Sequence, residues 1–173
     1  MCSRAVSPAR LTTIEQRFLR CPSLWSGKSC LVTLLEMGPL ARALSTDFAG
    51  LDQRVLALFP GLVDFAGPLK RGAFLAEVLA RIALQLQGVA GDAQIVHGRQ
   101  TQLWIVIDGP NEQMAVQAFD QASAILLALC AGVGAASAWP LRPARGEDGL
   151  HFIHAHAGQH GQHEQQRLVA AAQ

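Results

Sequence analysis

The sequence has no excess of charge of either sign and no long apolar run. Its 14 Lys and Arg residues balance 13 Asp and Glu residues, which gives a formal net charge of +1. A chain that neutralises a phosphate backbone needs a basic excess, so we expect no nucleic-acid binding. No segment reaches the roughly 18 to 20 apolar residues that span a bilayer, and basic residues interrupt the first positions, where a signal peptide would lie. We therefore expect no membrane attachment.

The cysteines form neither a metal-binding nor a disulfide pattern. Cys2, Cys21, Cys30 and Cys130 are scattered, without the C-x-x-C spacing of zinc ribbons or the density of small secreted scaffolds. This favours reduced thiols in a cytoplasmic protein. The composition, 50% hydrophobic and 16% charged, supports a globular core and excludes disorder of the whole chain.

The first half of the chain shows one strand and two short helices in its apolar spacing. Residues 14–19 predict a strand that ends at the turn-forming Pro22 and Ser23. Helical spacing of apolar residues predicts a helix over 30–35 and another over 51–59. A Gly-Pro or Pro-Gly pair follows each of these runs and stops the helix.

The second half shows the clearest helix, a hairpin and a last helix. Residues 72–87 carry an apolar stripe at i, i+3, i+4, i+7 and i+11, closed by glycine. Residues 93–96 and 102–107 are rich in β-branched side chains and predict a two-stranded hairpin. Asn111 can cap the last helix, whose apolar residues continue until Gly132.

This order of elements predicts the fold class and the domain limits. Strand, helix, helix, helix, hairpin and helix indicate an α+β fold, in which a small antiparallel sheet is packed on one face by about four helices. We assign a loose lead-in to 1–12, the folded domain to 13–131 and a flexible tail to 132–173. The tail is assigned because apolar periodicity stops there and the composition shifts to Gly, Ala, Gln and His.

The segment Gly27-Lys28-Ser29 has an incomplete phosphate-binding pattern. It lies between a predicted strand and a predicted helix, where the lysine of a P-loop would reach a phosphate. The first glycine of that pattern falls on Pro22, which lacks a backbone N–H, and Trp25 crowds the loop. We therefore expect no nucleotide site and no other cofactor.

The predicted tail is rich in histidine. Imidazoles at this density can bind Zn, Ni or Cu ions weakly, even from a flexible chain. The five tail histidines are His151, His154, His156, His160 and His163. A functional metal centre needs rigid surroundings, and no element is predicted here to hold the ligands. We expect a solvated tail and no metal in the core.

Glu77 and Arg81 lie four residues apart on the strongest predicted helix. They share one face of that helix, so they can form an ion pair worth about 0.2 to 0.5 kcal/mol if it is exposed. The remaining carboxylates show no pair whose spacing specifies acid/base catalysis.

Three segments together carry a family resemblance. Phe-Leu-Arg-Cys-Pro-Ser-Leu-Trp at 18–25 is similar to an Arg-Gly-Pro-Asn-x-Trp opening, and Leu-Phe-Pro-Gly-Leu at 58–62 is similar to Leu-Pro-Gly-Leu. The third and best segment runs over 71–87 and continues to Ala90-Gly91. With these segments, residues 15–131 resemble the N-terminal domain of cyanophycin synthetase, the enzyme that builds the Asp-Arg polymer cyanophycin.

The resemblance implies a hydrolase site that has lost its ligands. In the family, the long helix carries His-x-x-Glu-His, in which two histidines bind zinc and the glutamate activates water. Here the three positions are Glu77, Ala80 and Arg81, and the segment that starts at Asp64 replaces the family's Glu-His-x-Cys stretch. A guanidinium cannot ligate zinc. We expect no hydrolysis, and an ion pair of Glu77 with Arg81 in the former metal pocket.

The resemblance also implies the function and the partners. The ATP-binding and Mur-ligase-like modules of the synthetase have no counterpart in this sequence, so we predict a non-catalytic accessory or polymer-binding protein in cyanophycin metabolism. Its expected partner is the polymer or a synthetase. Cations that flank the matched segments are the predicted polymer contacts. They are Arg20, Lys28, Lys70, Arg71 and Arg99.

Two alternatives stay open on the sequence. One is a divergent metal-dependent hydrolase of Asp-Arg peptides that takes its ligands from His97 and the tail histidines. The other is a scaffold that docks on a synthetase through a surface that the parent domain uses within its own chain.

Overall fold

A four-stranded antiparallel sheet forms one layer of the molecule. The computed structural model describes residues 11–20, 28–88, 90–99 and 101–134. The strands are β1 (Thr12–Leu19), β2 (Cys30–Glu36), β3 (Ala93–His97) and β4 (Gln102–Asp108). Their order across the sheet is β1-β2-β4-β3, and every neighbouring pair is antiparallel.

Helices form the second layer and cover one face of this sheet. They are α1 (Leu51–Leu58), α2 (Ala66–Arg71), α3 (Leu75–Gln87) and α4 (Glu112–Cys130), with short 3₁₀ helices at Gly38–Arg42, Ser45–Asp47 and Pro60–Phe65. The helix α3 packs against α4 and against β3 and β4, and α4 also reaches β2. The fold is therefore α+β, as the sequence predicts.

The hydrophobic core lies between the helix layer and the sheet. In β2 and β4, alternate side chains are buried, because successive residues of a strand point to opposite faces. Burying large aliphatic and aromatic side chains stabilises the fold by about 1.5 to 3 kcal/mol each. The largest fully buried ones include Leu31, Leu35, Phe59, Leu79, Ile82, Leu86, Leu103 and Phe119.

The prediction of a helix over residues 30–35 is wrong, because this segment forms β2. Leu31, Thr33 and Leu35 are buried and alternate with the half-buried Val32 and Leu34. A short apolar run fits either period, and here pairing with β1 on one side and β4 on the other favours the strand. The helix α2, which the apolar spacing does not predict, brings the number of α-helices in the described ranges to four.

The other predicted elements are confirmed, with small shifts at their ends. The helix α3 begins at Leu75, because Gly72 has a left-handed φ of 104° and Phe74 is extended. Asn111 caps α4 as predicted, since its Oδ1 accepts a hydrogen bond from the N–H of Met114 at 2.9 Å. Most of the predicted lead-in and tail falls on residues 1–10 and 135–173, which lie outside the described part of the chain.

Candidate functional site

A cavity of about 280 Å³ lies between α3 and the β3–β4 hairpin. We call it the α3 cavity. Its lining combines three polar side chains with small and apolar ones from four parts of the chain. The lining residues are Ala41, Phe74, Ala76, Glu77, Arg81, Ala93, Ile95, His97 and Leu103.

Ser45 fixes the start of α3 and therefore the position of this cavity. Its hydroxyl donates to the carbonyl of Leu69 at 2.6 Å and accepts from the N–H of Ala73 at 3.0 Å. The N–H of Leu75 donates to the carbonyl of Ala43 at 3.1 Å. These bonds hold the end of α2, the segment that leads into α3 and the first residue of α3 against residues 43–45, and Glu77 lies in the first turn of α3.

The expected ion pair between Glu77 and Arg81 does not form. Both residues line the α3 cavity, but among the described residues neither belongs to an ion pair. The guanidinium carbon of Arg81 lies 5.7 Å from the centre of the Phe65 ring. At this distance the aromatic face attracts the cation, so Arg81 turns toward the 3₁₀ helix Pro60–Phe65.

Arg81 also has an unsatisfied hydrogen-bond donor. Its Nε is buried and has no hydrogen-bond partner in the described part of the chain. A buried donor without a partner costs about 1 to 3 kcal/mol. The α3 cavity thus holds a guanidinium and a carboxylate that form no ion pair with each other.

His97 supplies the third polar group of the α3 cavity. Its ring meets that of Phe74 edge to face, with the centroids 5.9 Å apart and the planes at 76°. Sequence patterns did not single out Phe74 for this cavity, because the contact depends on how the hairpin packs against α3. In the described ranges, no three His, Cys, Asp or Glu side chains are grouped so that they could hold a metal ion. The tail histidines lie outside those ranges.

Only two of the four residues that the resemblance assigns to a degenerate hydrolase site lie in this cavity. Glu77 and Arg81 line it, whereas Ala80 is fully buried in the core. Asp64 is exposed on the 3₁₀ helix Pro60–Phe65 and is not part of the cavity lining.

The predicted polymer contacts are dispersed over the surface, and none of them lines the α3 cavity. Arg20 follows β1, and Lys70 and Arg71 end α2, where all three are exposed. Arg99 lies in the hairpin turn, and Lys28 lies just before β2 at the other end of the sheet.

Lys28 already has an acidic neighbour. Its Nζ lies 3.7 Å from Oδ2 of the buried Asp108, and this carboxylate also accepts a hydrogen bond from the N–H of Asp92 at 3.0 Å. Burial, followed by the charge of Asp108, raises the pKa of the nearby Cys30 thiol. Asp108 therefore balances part of the charge of Lys28 within the protein.

Arg99 faces a shallow surface hollow that it shares with Glu36, Thr101 and Gln102. A hydrogen bond with the Thr101 side chain, and next one from the N–H of Gly38, lower the pKa of the Glu36 carboxyl. Glu36 therefore stays ionised close to the turn that carries Arg99.

No family model matches this chain, and no curated protein matches it. In the described ranges, no helix has both the length and the apolar character needed to cross a membrane. The assignment of a function therefore depends on the chemistry of the α3 cavity.

Proposed function

We propose that this protein is a non-catalytic relative of the cyanophycin synthetase N-terminal domain, and that it binds Asp-Arg chains at the α3 cavity. The observation that supports this is the pair of uncompensated charges, Glu77 and Arg81, in one cavity. Cyanophycin carries carboxylate and guanidinium groups, so one unit of the polymer offers each of them a partner of opposite charge.

The same residues favour binding over hydrolysis. A zinc site needs neutral imidazoles or anionic ligands, and Arg81 places a permanent cation one helical turn from Glu77. His97 supplies the single imidazole of the cavity lining. Glu77 can still accept hydrogen bonds from a guanidinium of the ligand, which is a binding role.

Arg71 and Arg99 fit this proposal as outer contacts of a longer polymer chain. Arg71 lies three residues before Phe74 and Arg99 two residues after His97, and both of those residues line the cavity. Lys28 fits less well because it lies beside Asp108. Replacing both Arg71 and Arg99 with Ala should weaken retention on the polymer but leave the binding of a short Asp-Arg peptide unchanged.

The experiment that tests the function is sedimentation with insoluble cyanophycin. The full chain is mixed with the polymer and spun down, the pellet is assayed for protein and the supernatant for released peptides. We expect protein in the pellet and no peptide release. Released peptides would favour the hydrolase alternative, and a pellet without protein would refute polymer binding.

The variant Arg81→Gln tests whether the polymer binds in the α3 cavity. A hydrogen bond to a charged group contributes about 1.5 to 3 kcal/mol, so we expect the affinity to fall about tenfold to a hundredfold. Arg42→Gln is the matched control, because it removes an exposed cation of the 3₁₀ helix Gly38–Arg42 that does not line the cavity. Equal losses in the two variants would mean that binding follows the total charge and not the cavity.

A further inference from the structure

The face of the sheet that points away from the helices has an apolar centre. The register of β2 with β4 places Val32 beside Val106 and Leu34 beside Trp104, and Val96 on β3 comes next to Trp104. Four of these residues are half-buried and Val96 is 49% exposed. We call these five residues the open-face patch.

No described helix covers the open-face patch. The helices α3 and α4 both pack on the opposite face, where Leu31, Leu35 and Ile105 are buried. A contiguous apolar patch of this kind on a folded domain marks a site of interaction with another surface.

Polar side chains border the patch. Along β1, Glu15 pairs with Leu34 and Arg17 with Val32 in the strand register, and Glu15 and Arg17 form an ion pair with each other. On β3, Gln94 pairs with Val106. An apolar centre with a polar rim is the usual anatomy of a protein–protein interface, and Trp is among the residues that contribute most to binding energy.

The charges of the rim indicate which partner fits. The β1 edge carries one acid and one base, so the rim is electrically neutral and complementary to itself when a two-fold axis brings Glu15 of one copy to Arg17 of the other. The net charge of +1 gives two copies little mutual repulsion. A lipid surface or a nucleic acid would need a cluster of bases, and this rim does not supply one.

The size of the face is of the order that a dimer needs. Four strands of about seven residues span roughly 23 Å by 19 Å, or about 440 Å² in flat outline. Protruding side chains make the accessible area larger than this outline, and a standard interface buries about 800 Å² per partner. We propose that two copies of this chain pack their open faces together as a β-sandwich, with the helices on the outside.

The oligomeric state of the full chain tests this proposal. Sedimentation equilibrium over a wide range of concentration should show a monomer–dimer equilibrium. Val96→Lys introduces a charge at the interface and should raise the dissociation constant about tenfold or more. Because about half of Val96 is exposed, at 49%, we expect the circular dichroism spectrum of the variant to match that of the unchanged chain.

Val63→Lys is the matched control. Val63 is 67% exposed on the 3₁₀ helix Pro60–Phe65, away from the open face, so this variant should dimerise normally. A dimer that Val96→Lys weakens and Val63→Lys does not would support the proposal. A chain that stays monomeric at every concentration, one that binds anionic vesicles as a monomer, or a dimer that resists Val96→Lys would overturn it.

Discussion

At the scale of single residues, Arg81 lowers the stability of the free protein but supports the proposed binding. Its Nε is buried without a partner, so the folded protein retains a desolvation cost. Functional sites commonly keep groups that are unfavourable in the free protein.

We expect Arg81→Met to keep or raise the melting temperature while it abolishes retention on cyanophycin. The methionine removes the unsatisfied donor and keeps an apolar chain against Phe65. Differential scanning calorimetry and the sedimentation assay measure the two effects.

Arg54→Met is the control for this prediction. Arg54 donates to the carbonyls of Leu129 at 3.1 Å and Ala49 at 2.9 Å, so its loss should cost about 1 to 3 kcal/mol of unfolding free energy. If Arg81→Met destabilised the protein as much as Arg54→Met, the guanidinium of Arg81 would have a structural role instead.

Cys130 makes the stability depend on pH in the alkaline range. Burial raises the pKa of its thiol from 9.0 to about 11, although the charge of Arg54 opposes this in part. The unfolded thiol ionises near pH 9 and the folded one only near pH 11, so the stability present below pH 9 is lost as the pH rises through this window.

We therefore expect the free energy of unfolding to fall between pH 9 and pH 11, and to fall less in Cys130→Ala. Urea titrations at several pH values measure this dependence. Identical pH profiles for the two proteins would show that Cys130 ionises equally well in both states.

At the scale of elements, Ser45 is the residue on which the start of α3 depends. Ser45→Ala leaves the carbonyl of Leu69 and the N–H of Ala73 without their buried partner. We expect a loss of about 1 to 3 kcal/mol of unfolding free energy and weaker polymer binding, because Ala73 leads directly into the first turn of α3, where Glu77 lies.

Ser123→Ala is the matched control for this substitution. The hydroxyl of Ser123 donates only to the carbonyl of Phe119 within α4, so its removal should change the unfolding free energy little. Chemical denaturation of both variants gives the comparison, and similar losses would contradict the assigned role of Ser45.

The sequence predicts elements better than it predicts contacts between elements. The long periodic stripe of α3, the hairpin and the cap at Asn111 are local patterns, and all three are present in the structure. The apolar spacing predicts a helix at β2, because this short run fits either period and the pairing with β4 comes from a distant segment.

The same limit explains what could be predicted of the α3 cavity. Spacing alone places Glu77 and Arg81 on one face of a helix, and both do line the cavity. The prediction that they form an ion pair is wrong. The guanidinium of Arg81 lies instead over the ring of Phe65, which comes from another segment. His97 lies beside them only because the hairpin packs on α3. The spacing of apolar residues along the chain does not predict this packing.

At the scale of the whole molecule, the α3 cavity and the open-face patch lie on opposite faces of the sheet. Sites without shared partners contribute to the energetics independently. We expect Val96→Lys to leave the affinity for a short Asp-Arg peptide unchanged and Arg81→Gln to leave the dimer intact.

Retention on the intact polymer should respond differently to Val96→Lys. A dimer would present two cavities, and linked sites bind a repetitive ligand with an avidity that a monomer lacks. Calorimetric titration of the peptide, alongside sedimentation with the polymer, separates the two effects. A change in peptide affinity in Val96→Lys would show that the two sites are coupled.

The strand order also determines how the chain acquires its sheet. The hairpins β1–β2 and β3–β4 each pair neighbours in sequence, whereas the central ladder of β2 with β4 joins segments separated by residues 37–101. Closing a long segment costs entropy before the ladder can compensate for it, which slows folding. The two hairpins and the helices join neighbouring segments, so we expect them to form early and the docking of β2 on β4 to set the folding rate.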